Sequence, residues 1–216
     1  MEKMTLDPAF DIEDLQALAG LYGPTHEMAL LKCQPTLGTH AREFISRSPF
    51  LCIGTQSAEG KADISPRGDP VGFVQVLDDK TLAIPDRPGN NRLDTLRNIL
   101  SNPTVGLLFM VPGFDDTLRA NGRARLSRDP ALLARLQVNG RLPTLAIVVE
   151  VEEVFMHCAK AFRRSNLWNP GHYQDRKSMP SLMKIILDET KGAPADEGLM
   201  RKLDDDLEVE YRNTMY

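Results

Sequence analysis

Hydrophobic positions follow two different periods along this chain. Near the start, Leu15, Leu18 and Leu21 stand at helical spacing behind Asp11 and Asp14, which predicts a helix stopped at Gly20 or Gly23. Residues 25–33 and 36–46 predict two further short helices, separated by Pro35. From Pro49 the texture changes to short β-rich runs at 50–55, 62–65, 71–77, 81–84, 105–111, 118–126 and 145–155. The first four pair naturally as two hairpins, turning at Ser57-Ala58-Glu59-Gly60-Lys61 and at Asp78-Asp79-Lys80, with a loop at Pro66-Arg67-Gly68-Asp69-Pro70 between them.

Helical spacing interrupts this β pattern twice. Asn91 is placed to cap a helix with Leu93, Leu96, Ile99 and Leu100 on one face, ending before Pro103; Asp129-Pro130 opens another with Leu132, Leu133 and Leu136. A helix at 180–189 and an acidic helix at 199–211 close the chain. Strands at hairpin spacing, joined by turns and not by regular helical crossovers, favour an antiparallel barrel over a doubly wound parallel sheet. The expected division is an N-terminal helical arm over 1–47, a β domain over 48–170 and an acidic helical tail over 171–216.

Composition narrows the classes. The hydrophobic share of 42% and the charged share of 26% are those of an ordinary globular chain, which excludes a disordered one. No window approaches the roughly 18 apolar residues of a membrane span, and the first residues are not a signal peptide, so a cytoplasmic protein without a membrane partner is expected. Cys33, Cys52 and Cys158 are odd in number and widely spaced; they predict reduced thiols in a core, with no disulfide framework and no metal knuckle. A net charge of -4 opposes nucleic-acid binding. The sum hides an asymmetry: residues 86–141 carry nine Arg and no Lys against five acids, whereas 188–216 carry nine acids against four bases. Positive charge is thus concentrated mid-chain, where it suits an anionic small molecule.

The phosphate-binding P-loop, the zinc-protease helix and the esterase nucleophile elbow have no counterpart, and the four histidines form no i, i+4 pair. Three constellations remain. In Ser65-Pro66-Arg67-Gly68-Asp69, Arg67 offers a planar fork to a phosphate or flavin carbonyl, Ser65 a hydroxyl, and Gly68 a close backbone approach; the alternative is a β-turn with a surface Arg–Asp pair. Asp86-Arg87-Pro88-Gly89-Asn90-Asn91-Arg92 leads from a strand into a helix start, where free N–H groups attract an anion; the alternative is a capped helix with a solvated Arg92. The stretch from His157 to Trp168 sets Lys160, Arg163 and Arg164 beside the chain's only Trp, which suits an anionic aromatic cofactor or, alternatively, a packed Trp carrying Arg stems.

On these segments, together with Asn102-Pro103-Thr104-Val105-Gly106-Leu107-Leu108-Phe109 and Leu118-Arg119-Ala120-Asn121-Gly122-Arg123-Ala124, the chain resembles the pyridoxamine 5'-phosphate oxidase-like, FMN-binding split-barrel family, within the branch of FMN-dependent enzymes of unassigned substrate. The resemblance spans roughly residues 46–170, with the segments in family order. It implies a six-stranded antiparallel split barrel that forms a homodimer and holds FMN between subunits. It implies, too, that Arg67 with Ser65, and Asn90, Asn91 and Arg92, hold the flavin phosphate, with Gly68 and Asp86 also among the cofactor-binding residues. Lys160, Arg164, Ser165 and Trp168 would border the flavin ring from the second subunit. The Arg-x-His that binds pyridoxal phosphate in the true oxidases has no counterpart near the C-terminus. The implied activity is FMN-dependent hydride or electron transfer to a small molecule, with a nicotinamide nucleotide as one possible donor and no residue assigned as general acid. The alternative is a non-catalytic flavin- or haem-binding carrier or sensor on the same fold.

Overall fold

The computed structural model describes residues 4–216. The chain divides into two compact units, Met1–Cys33 and Gln34–Tyr216. In the first, α1 (Leu15–Gly20) and α2 (Glu27–Leu31) each start where the sequence supplies an acceptor. Asp14 Oδ1 accepts the Ala17 N–H at 2.7 Å, and His26 Nδ1 accepts the Met28 N–H at 3.2 Å. Neither helix buries a residue.

The second unit is mainly β with helices. Helix α3 (Thr39–Arg47) leads into β1 (Phe50–Gln56), β2 (Ala62–Gly68), β3 (Gln75–Val76) and β4 (Thr81–Pro85); α4 (Asp94–Ser101), β5 (Thr104–Met110) and β6 (Thr117–Ser127) follow. Then come α5 (Pro130–Arg135), β7 (Ala146–His157), α6 (Lys160–Ser165), α7 (Leu182–Thr190) and α8 (Glu197–Thr214). The strands form one antiparallel sheet in the order β2-β1-β5-β6-β7-β4-β3. Its strands number seven among the described residues, against the six implied by resemblance. The run at 71–77 supplies only the two residues of β3, at an edge, because Phe73 and Val74 are apolar to fill the core and not to extend a ladder.

Alternation decides the core. Leu51 and Ile53 of β1, Val105, Leu107 and Phe109 of β5, Leu118 and Ala120 of β6, Ile147, Val149 and Val151 of β7, and Leu82 and Ile84 of β4 face one cluster, covered by Phe44 and Ile45 of α3 and Leu96 and Ile99 of α4. Burying each large aliphatic side chain stabilises the fold by about 1.5–3 kcal/mol relative to exposure. β4 and β7 are buried on both faces: Ala83, Ala146 and Val148 form a second cluster with Leu133 and Leu136, and the small alanines let α5 and its C-cap lie close. Asp129 caps α5 through the N–H groups of Ala131 and Leu132, as its sequence predicts.

Two sequence expectations are corrected here. The strand expected to stop at Ser65 runs on through Pro66, Arg67 and Gly68; β2 is a sheet edge, where the missing N–H of a proline is tolerated. The cysteines are not core residues, since Cys33 and Cys52 are half-buried and Cys158 is exposed. Among the described residues, no helix is long and apolar enough to cross a membrane.

Candidate functional site

The hairpin β1–β2 puts alternate residues of its second strand on opposite faces. Asp63, Ser65 and Arg67 are half-buried on one, and Ile64, Pro66 and Gly68 are exposed on the other. The first set faces the link from β4 to α4. Together β2, the 85–93 link, the first turn of α4, and Thr144 and Leu145 before β7 enclose a cleft of about 810 Å³. Ser65, Arg67, Gly68, Asp86, Asn90, Asn91 and Arg92, drawn from two separate segments of sequence, all line it. Gly68 has no steric obligation there: an added Cβ would meet Phe50 and the Pro49 carbonyl at ordinary contact distances, not a ligand face.

Two crossed ion pairs hold the walls together. Arg67 Nη1 lies 2.9 Å from Asp86 Oδ1, and Arg87 Nε lies 2.6 Å from Asp69 Oδ2. The cation of one wall meets the anion of the other in both directions, so the β2 and β4 ends cannot slide without breaking both. The sequence offered Arg67 and Asp69 as a pair within one turn; the structure gives each a partner from the other wall. An Arg-x-Asp followed by an adjacent Asp-Arg is the signal that would have shown the crossing.

Arg67 is well suited to an anion. Its side chain is 19% exposed, one N–H is occupied by Asp86, and its Nε is buried with no hydrogen-bond partner among the described residues. A buried guanidinium N–H left without an acceptor is costly, and an oxygen-rich ligand in the cleft would satisfy it. The neighbouring helix start is also open. Asn91 does not cap α4: the N-cap is Leu93, left-handed at φ 61, with no side-chain acceptor for the first turn. Asn91 is left-handed as well, at φ 58, and Asn90 Oδ1 accepts the Arg92 N–H at 3.1 Å, so the asparagines shape the link and not the cap. A phosphate at this end of the cleft fits both the unpaired Arg67 N–H and the uncapped turn.

Arg92 differs from Arg67. Its side chain is 75% exposed, and its Nε lies 2.8 Å from Asp94 Oδ2, a contact that raises an already high guanidinium pKa. Asp94 thereby supplies a local reason for an arginine at a helix N-terminus.

A buried polar set fixes α4 against the hairpin. Asp63 Oδ2 accepts from Thr95 Oγ1 at 3.2 Å and Thr55 Oγ1 at 3.4 Å, and Asn98 Nδ2 donates to Thr55 Oγ1 at 3.0 Å. Sequence reasoning missed these residues; Thr95 and Asn98, polar beside the apolar Leu96 and Ile99, were the available signal. It missed Tyr216 too. Its hydroxyl donates to Asp69 Oδ1 at 2.7 Å, and the Arg87 guanidinium stands 5.7 Å from its ring centroid. The hydrogen bond to the Asp69 carboxylate, with burial, holds the phenol above its ordinary pKa.

Lys160, Arg164, Ser165 and Trp168 do not line the cleft of their own chain. They sit on and after α6, which is tied to the β5–β6 turn by Arg163 Nε and Asp115 Oδ2 at 3.1 Å. Lys160, Arg164 and Ser165 are exposed. The cation suggested over the Trp168 face is not found among the described residues; the indole packs on Phe162 with ring centroids 5.8 Å apart and donates from Nε1 to the Phe114 carbonyl at 2.8 Å.

The solved structures similar to this chain include HupZ from Group A Streptococcus, at 20% identity and TM-score 0.46, covering 55% of this chain and 92% of that one. A putative pyridoxamine 5'-phosphate oxidase from Lactobacillus delbrueckii matches at 19% identity and TM-score 0.45, covering 56% and 95%. An FAD binding protein from Mycobacterium smegmatis matches at 18% identity and TM-score 0.41, covering 57% and 97%. No curated protein matches. The family model described as pyridoxamine 5'-phosphate oxidase matches residues 37–158, more than half of the chain and all seven strands of the sheet, and the chain belongs to that family.

Proposed function

We propose that this protein is an FMN-dependent oxidoreductase acting on a small molecule, built as the split barrel of its family and working as a homodimer. The observation that carries the reading is the cleft in which Arg67, with its buried unpaired Nε, faces the uncapped start of α4. Arg67 and Ser65 would hold the FMN phosphate from β2, and Asn90, Asn91 and Arg92 from the link, while Asp86 orients Arg67. Lys160, Arg164, Ser165 and Trp168, which do not line the cleft of their own chain, would border the ring from the second copy. Bound FMN supplies hydride or electron transfer, and the protein supplies binding, orientation and charge.

The sheet's outer face suits a second copy. Cys52 stands between Pro66 and Leu108, Phe50 faces Met110, and Gly54 faces the 74% exposed Ile64, so the partnered rows carry apolar side chains outward. Leu108→Asp is expected to convert a dimer to a monomer in analytical ultracentrifugation and to lose flavin with it, because the ring end of the site is then incomplete. A monomeric unmodified protein would remove the two-copy site.

FMN titration tests the whole reading. The purified protein should bind FMN and show a flavin band at about 450 nm that bleaches on reduction by NADH or NADPH. Failure to take up added FMN rejects the proposal. Uptake of FMN without turnover on any acceptor favours the carrier reading.

A further inference from the structure

We propose that Tyr216 is a positioning residue for the cleft: by seating its hydroxyl on Asp69 and its ring against Arg87, it joins the segment after α8 to the two walls that hold an anion, so that docking of this segment and binding in the cleft are coupled.

Asp69 is the centre of the clasp. Its side chain is 1% exposed, and both carboxylate oxygens are used, one by Arg87 Nε at 2.6 Å and the other by the Tyr216 hydroxyl at 2.7 Å. Arg87 is held at three points: Nε on Asp69, Nη2 on the Leu136 carbonyl at 2.8 Å, and its guanidinium against the Tyr216 ring. Arg141 closes the socket by donating to the Tyr216 carbonyl oxygen. Of these residues Arg87 also lines the cleft.

Asp69 follows Arg67 by two residues and Arg87 follows Asp86 by one, so the clasp that Tyr216 completes shares both backbone segments with the clasp that holds Arg67. Removing the hydroxyl leaves a buried carboxylate with one partner in place of two; removing the ring also frees the face of Arg87. Loosening then passes directly to the 67–69 and 86–87 segments. By reciprocity, a ligand that tightens those segments must tighten the docking of Tyr216 by the same factor. The raised phenol pKa agrees with this placement, the hydrogen bond to Asp69 being its largest cause.

The experiment uses the full chain with Tyr216→Ala and Tyr216→Phe, first without flavin. Amide hydrogen exchange should quicken at 86–92 and near Asp69, as well as along 197–216, strongly in Tyr216→Ala and less in Tyr216→Phe. Exchange that quickens only at 210–216, in either variant that folds, overturns the proposal. The ligand part of the proposal rests on the FMN reading. There, Tyr216→Ala should weaken FMN binding by about tenfold, and FMN should slow exchange at 210–216 in the unmodified protein. If the unmodified protein binds FMN but the variant matches its affinity, the coupling is wrong and the FMN reading stands. If the unmodified protein binds no FMN, that reading falls, and the flavin-free exchange pattern alone decides the role of Tyr216.

Discussion

Arg67→Glu is expected to weaken FMN binding by at least about 100-fold while leaving the protein folded, as read by flavin fluorescence titration against the circular dichroism of the same sample. The magnitude follows from burial. Loss of one charge from a desolvated, hydrogen-bonded contact costs about 2–5 kcal/mol, and the substitution also sets a second carboxylate beside Asp86 and beside the incoming phosphate. Arg67 is the residue for this test because its side chain is 19% exposed and its Nε is buried and unpaired, whereas Arg92 is 75% exposed and already shares its charge with Asp94. Exposed ion pairs are screened by water and contribute little, so the two arginines differ in weight although both line the cleft. Unchanged affinity in folded Arg67→Glu would place the phosphate elsewhere.

Gly122→Ala is expected to destabilise the fold by about 3 kcal/mol or more, seen as a lowered denaturation midpoint or as failure to accumulate folded protein. Gly122 lies where the pairing of β6 with β7 shifts register, opposite Val151. A Cβ there would overlap the Glu150 carbonyl oxygen and lie 2.9 Å from its carbonyl carbon, with the Val151 Cα at 3.1 Å. Those atoms are backbone in the longest strand of the sheet, so no side-chain rotation relieves the clash, and the bulge itself must move. A variant as stable as the unmodified protein would show that β7 yields at Glu150.

Part of the sheet was legible because β1 and β5 alternate: Leu51 and Ile53, or Val105, Leu107 and Phe109, announce one buried face by period alone. Where local chemistry and tertiary context disagree, context prevailed. Pro66 reads as a turn residue, yet at a sheet edge it continues a strand. Phe73 and Val74 read as strand and serve as core. Asn91 reads as a cap, but two left-handed residues, Asn91 and Leu93, postpone the helix to Asp94. For the site, the segments around Arg67 and Arg92 were legible as motifs, and they do share one cleft. The crossed pairing was not, since Arg67 reaches 19 residues along the chain to Asp86 and Asp69 reaches 18 to Arg87. Tyr216 was beyond reach altogether: its partner Asp69 lies 147 residues away, and no local pattern marks a phenol as the lid on a buried carboxylate.

The borders of the sheet have a consequence for the protein at high concentration. One border is β2, interrupted by Pro66 and therefore lacking an N–H at its middle; the other is β3, only two residues long. Neither offers an incoming strand an unbroken row of donors and acceptors, so intermolecular strand addition and fibril templating find no purchase at either end.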